Sequence, residues 1–142
     1  MKSYEDTTDV VVLAIYHAEE DGNYYLIARR RKNEFWEFVV GKVKKGESYE
    51  EAALRELEDE IEIDWDLDAV EVKKVGEPYK SPENPVYDLY PVLLEIPSET
   101  AWELGDEDLG TEHDSLAWIT VDQLDDYDTM HQEKALELLG IT

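Results

Sequence analysis

Cysteine is absent from the 142 residues, so the chain has no disulfide, zinc–thiolate site or thiol nucleophile. Positive charge is scarce: 13 lysines and arginines stand against 37 aspartates and glutamates, for a formal net charge of −24. That balance leaves no basic face for a nucleic-acid backbone, which argues against polymeric DNA or RNA as a partner. No apolar run approaches the ~18 residues of a membrane span, and the opening MKSYEDTTDV is polar. A cytoplasmic, soluble protein without a membrane partner is expected. Internal repeats and low-complexity blocks are missing as well.

The acids that are present are dispersed among tryptophans, tyrosines and aliphatics rather than gathered in a tail. With 42% hydrophobic residues, residues 1–142 suffice for one domain with a single core. A charge of −24 repels itself at ordinary ionic strength. At about 1 M salt, where the Debye length is roughly 3 Å, that repulsion is largely screened. In this respect the composition resembles that of proteins from extreme halophiles.

The most informative stretch covers residues 41–63, GKVKKGESYEEAALRELEDEIEI. Ser48 and Glu51 form a capping box that predicts a helix start. Ala53, Leu57 and Ile61 recur every four residues, with Leu54 beside them, and supply a face to bury. Glu56, Asp59 and Glu60 share the adjoining arc, toward the negative end of the helix dipole. In so acidic a chain a solvated acidic face is the plain explanation. The alternative is a hard divalent cation gripped by carboxylate oxygens and a nearby backbone carbonyl. The spacing of Gly41, Glu47, Arg55, Glu56, Asp59 and Glu60 arises by chance in roughly one such chain in a thousand, which favours the cation.

Along the rest of the chain, strands are expected over 10–15, 24–28, 70–75, 86–96 and 116–120. Pro91 implies an edge or a bulge in the fourth of these. Residues 76–85 and 98–110 read as loops. A helical turn is expected over 121–127, and a closing helix over 129–139 with Ala135, Leu138 and Leu139 inward. The pattern suggests an α/β fold, a mixed sheet covered by helices. Three of the four arginines are consecutive, Arg29 to Arg31, and guanidinium suits bidentate phosphate contact.

The 41–63 stretch resembles the Nudix box, G-x5-E-x7-R-E-U-x-E-E-x-G-U, through Gly41, Glu47, Arg55, Glu56, Leu57, Glu60 and Ile63. Two positions depart from it. Asp59 keeps the carboxylate but is one methylene shorter, and Glu62 replaces a glycine suited to a left-handed helix exit. Val39 and Val40 also replace the proline and first glycine that often precede the box. Arg29, Arg30, Phe35 and Trp36, with Glu112-His113 before Trp118, are similar to the dATP/dihydroneopterin triphosphate pyrophosphatase branch. An E-H pair occurs in diadenosine tetraphosphate hydrolases too.

The resemblance implies a Nudix fold, a mixed β-sheet sandwiched between α-helices, and Mg²⁺-dependent hydrolysis of a nucleoside diphosphate linked to X. The implied metal ligands are the Gly41 carbonyl, Glu56, Asp59 and Glu60, with Mg²⁺ or, in its place, Mn²⁺. Glu47 and Arg55 resemble a structural pair in which the arginine holds a catalytic carboxylate. Glu60 or Glu112 would accept the proton, and Arg30 or Lys42 would hold phosphates. Phe35, Phe38, Tyr79 or Tyr87 could stack on a base. His113 is read as a packing or hydrogen-bonding residue, and neither His17 nor His131 has a visible constellation. A nucleoside triphosphate pyrophosphohydrolase is the leading expectation. The alternatives are a dinucleoside polyphosphate hydrolase and a Nudix-fold binding or sensor module. The partner is a small nucleotide, and a homodimer is compatible with the family.

Overall fold

The aliphatic run at 10–15 forms the middle of β1 (Asp6–Glu19) in the computed structural model, which describes residues 6–127 and 132–142. One edge of β1 pairs in parallel with β7 (Asp88–Glu95). The other edge is shared: residues 10–13 pair with β4 (Val39–Lys44) and residues 16–19 with β2 (Gly22–Arg30), both antiparallel. β2 also pairs with β8 (His113–Ile119) and with the two-residue β3 (Trp36–Glu37). At Phe38 the chain therefore steps from the edge of β2 to the edge of β1. β5 (Glu71–Val75) and β6 (Tyr79–Lys80) pair with the far edge of β7, completing a mixed eight-stranded sheet.

Alternation along β1 explains why its run is continuously apolar. Val11, Leu13 and Ile15 face Ala53 and Leu57 of α1 (Tyr49–Glu60) and Ile61 just beyond it. Val10, Val12, Ala14 and Tyr16 face the other way, toward Phe38, Leu124, Ala135 and Leu136. Each fully buried aliphatic such as Leu13 or Leu57 contributes roughly 1.5–3 kcal/mol.

The expected capping box starts α1: Glu51 N donates to Ser48 Oγ at 3.1 Å, and Ser48 N to Glu51 Oε1 at 3.0 Å. The helix exit corrects the expectation at Glu62. Ile61 leaves the helix extended (φ −121°), and Glu62 is not among the described positive-φ residues. Its N–H donates to the Asp108 carbonyl at 2.6 Å, so no glycine is needed there.

Several boundaries differ from expectation. β8 begins at His113, three residues early, opposite Arg30. The segment read as an acidic loop contains α2 (Ser98–Glu103) and a 3₁₀ turn, Asp106–Asp108, because Ala101, Leu104 and Leu109 dock into the core. Residues 76–85 include β6. Pro91 lies in a strand paired on both sides, not at an edge. Its carbonyl accepts from Gly76 N at 2.8 Å, so its missing N–H faces the gap between β5 and β6.

The closing helix, α3, spans Gln132–Leu138; Thr129, Met130 and His131 lie outside the described residues. Ala135 and Leu139 are buried as expected, but Leu136 is buried in place of Leu138. The inward set is 132, 135, 136 and 139, and polar Gln132 on that face concealed its helical spacing. No described helix is long and apolar enough to cross a membrane.

Candidate active site

Arg55 ties the site together. From α1 its Nε and Nη2 donate to Glu47 at 2.8 and 3.0 Å, its Nη1 to Glu56 Oε1 at 2.6 Å, and its Nη2 to the Lys42 carbonyl at 2.8 Å. Glu47 is fixed in turn by the Lys44 N–H at 3.0 Å. Arg55 holds the Glu47 carboxyl below its ordinary range, with the Lys44 amide helping against partial burial. A planar fork suits this multiple engagement in a way an ammonium does not. Helix α1 is thereby fastened to β4.

Gly41 lies on β4 opposite Val11, and the Glu56 carboxyl packs directly against it. A Cβ there would overlap the Glu56 side chain. The glycine makes room for the Glu56 side chain. Burial raises the Glu56 carboxyl, with Arg55 opposing.

Around this wall lies a cleft of about 490 Å³ lined by Gly41, Lys42, Glu56, Asp59, Glu60 and Glu112 among others. It brings together six of the seven residues expected to act on metal, proton or phosphate, and Arg55 lines it too. Asp59 is exposed, its carboxylate 3.5 Å from Arg55. Lys42 Nζ stands 5.2 Å over the Tyr87 ring.

Among the carboxyls of the cleft, Glu60 is strongly perturbed. Burial first, then the neighbouring Glu112 and Glu56 carboxylates, push it up to about 7, against the pull of His113. In an unfolded chain the same group titrates near ~4.3. The folded state thus binds the extra proton between those values, so stability is lost as pH rises through that window. The shift corresponds to at most roughly 3–4 kcal/mol, and partial exposure reduces it to roughly 1–3 kcal/mol. Urea denaturation of the metal-free protein at pH 5 and pH 8 is expected to show this loss. Glu60→Gln should remove it, and an unchanged pH slope in that variant would refute the assignment.

Arg30 lines a neighbouring cleft rather than this one. Its guanidinium lies 2.7 Å from Glu37 Oε1 and donates to Glu83 at 3.0 and 3.2 Å, so two carboxylates already occupy the group expected to bind phosphate. Arg29 makes a two-point pair with Asp114 at 2.9 Å. Arg30, Arg31 and Lys32 line this second cleft of about 530 Å³, which meets the first at Val40 and Glu112. Glu37 was not singled out from sequence. It is buried and lies 2.9 Å from His113 Nε2. Burial, the largest influence, raises its carboxyl, but His113 and Arg30 together hold it below its ordinary value. The only sequence signal was an acid wedged between Trp36 and Phe38 ahead of two valines. His17 pairs with Glu19 at 2.7 Å and does not line either cleft.

A NUDIX domain model matches residues 7–139, and the chain belongs to that family. Over 55 residues it is 34% identical to the dihydroneopterin triphosphate diphosphatase of Escherichia coli K12, taking in 39% of this chain and 37% of that one. It thus matches little more than a third of the length of that curated relative. Among solved structures it is similar to a C. elegans Ap4A hydrolase binary complex, with TM-score 0.70 and 17% identity over 92% of this chain and 95% of that one. It is also similar to the E. coli dihydroneopterin triphosphate pyrophosphohydrolase, with TM-score 0.65 and 19% identity over 98% and 99%. At these identities the likeness establishes the fold.

Proposed function

We propose that this protein hydrolyses a nucleoside diphosphate linked to X, and that its reaction converts a nucleoside triphosphate to a monophosphate and pyrophosphate. The observation that carries the reading is Glu60: a carboxyl raised to about 7, facing Glu112 in a cleft walled by Gly41 and the Arg55-anchored Glu56. A group that titrates near neutral pH is suited to taking a proton from water.

The donor set fits a divalent cation. Glu56 and Glu60 are raised first by burial and then by neighbouring acids, Glu112 among them, and oxygen donors of this kind suit Mg²⁺. Glu56, Asp59, Glu60, Glu112 and the Gly41 carbonyl would hold it. When bound, Mg²⁺ supplies charge neutralisation at the phosphate oxygens. Glu60 or Glu112 would accept the proton as water attacks phosphorus and the anhydride oxygen departs with pyrophosphate. Arg55 would keep Glu56 in place without touching substrate, and Lys42, on the cleft lining, would face the phosphates. A small nucleotide escorted by Mg²⁺ is compatible with the net charge; a nucleic-acid polymer is not.

A dinucleoside polyphosphate is the second reading, favoured by the neighbouring cleft with Arg31 and Lys32, which would extend the path for a longer phosphate chain. A panel of nucleoside triphosphates and a dinucleoside tetraphosphate, assayed with Mg²⁺ in molar KCl, separates the two. Pyrophosphate release from a triphosphate is expected. Cleavage of the dinucleotide alone would select the second reading, and release of no phosphate product would refute both.

A further inference from the structure

His113 opens β8 opposite Arg30, with a bulge in the pairing beside it. Its side chain is only 2% exposed. Nε2 lies 2.9 Å from Glu37 Oε2, and the other Glu37 oxygen lies 2.7 Å from Arg30 Nη2. An ionised carboxylate held by a guanidinium can only accept, so the Nε2 proton belongs to the histidine. In the neutral ring Nδ1 then carries the lone pair.

The other ring nitrogen, Nδ1, is turned toward Glu60. It lies 3.9 Å from Glu60 Oε2, beyond hydrogen-bond reach, and atoms of Glu60, Glu112 and His113 all fall within 4.8 Å of one another. Two ligands of one octahedral ion stand about 3.0 Å apart at a right angle and about 4.2 Å apart when opposed. The separation of 3.9 Å lies between these limits. A buried carboxylate that receives the far N–H of an imidazole, while the near nitrogen faces two further acids, is the arrangement that orients metal-bound histidines.

The geometry points to His113 Nδ1 as a nitrogen ligand in a divalent-metal position shared with Glu60 and Glu112, with Glu37 as the positioning residue that fixes its tautomer. One imidazole among oxygens shifts preference away from Mg²⁺ toward transition metals such as Co²⁺. The inference rests on the reading that Glu60 and Glu112 hold a cation. The competing account makes His113 a cation wedged between Glu37 and Glu60, and it requires no nitrogen on the metal.

Pulsed electron paramagnetic resonance of Mn²⁺ bound to the full chain distinguishes them. Protein carrying ¹⁴N- or ¹⁵N-histidine should show coupling from a directly bound nitrogen that changes with the isotope. The coupling should persist when His17 and His131 are both replaced by asparagine, and be lost in His113→Asn. In titration calorimetry, Glu37→Gln should weaken Co²⁺ about tenfold to a hundredfold while moving Mg²⁺ far less. Bound Mn²⁺ without directly coordinated histidine nitrogen in the wild-type protein would overturn the inference and leave the carboxylate site intact. Failure of Mn²⁺ to bind at all would overturn both. The wild-type measurement decides the matter even if His113→Asn does not fold.

Discussion

Glu60→Gln is expected to lower turnover by about a thousandfold with little change in KM, within the range that loss of a positioned proton acceptor produces. The amide matches the carboxylate in shape, so α1 and its packing against β1 should survive. It cannot take a proton at neutral pH and is a poorer donor to a cation. Glu60 suits the role because it is largely enclosed, faces Glu112, and has its carboxyl raised to about 7. Circular dichroism would confirm the fold, and steady-state rates with Mg²⁺ would give the loss. A variant as active as the parent would remove Glu60 from the mechanism and leave Glu112 as the proton acceptor to test.

Gly41→Ala is the second large effect, and it acts without removing any functional group. The added methyl would occupy the space of the Glu56 carboxyl. Neither side yields easily. Gly41 is held in the β4–β1 ladder, and Glu56 is gripped by Arg55, itself bonded to Glu47 and the Lys42 carbonyl. Glu56 must therefore swing out of the cleft or the strand must shift. Misplacing a catalytic group by about 1 Å can lower the rate a hundredfold, and overpacking typically destabilises by roughly 1–3 kcal/mol. Activity is expected to fall at least that far, with weaker Mg²⁺ binding by calorimetry. An alanine variant with parental metal affinity would mean that Glu56 does not hold the ion.

The parts of this site that could be read in the sequence are local. Ser48 and Glu51 announce the helix, and its apolar period places Glu56, Asp59 and Glu60 on one arc. Glu47 and Arg55, eight residues apart, follow from the box and are joined directly. What could not be read is set by strand pairing. Glu37 and His113 are 76 residues apart and meet only because β3 and β8 both pair with β2. That Arg30 pairs with Glu83, 53 residues downstream, is likewise invisible to local pattern. Pro91 implied an edge or a bulge, because the break between β5 and β6 that accommodates it lies in another part of the chain.

The sharing of β1 between the two faces of the sheet has a consequence for how the molecule comes apart. Val11, Leu13 and Ile15 belong to one apolar layer, and Val10, Val12 and Ala14 to the other. Peeling away either cover strips solvent protection from the same backbone that the opposite cover needs. Loss of the fold and loss of the cleft are therefore expected to coincide as a single cooperative transition, which urea unfolding followed by tryptophan fluorescence and by activity would check.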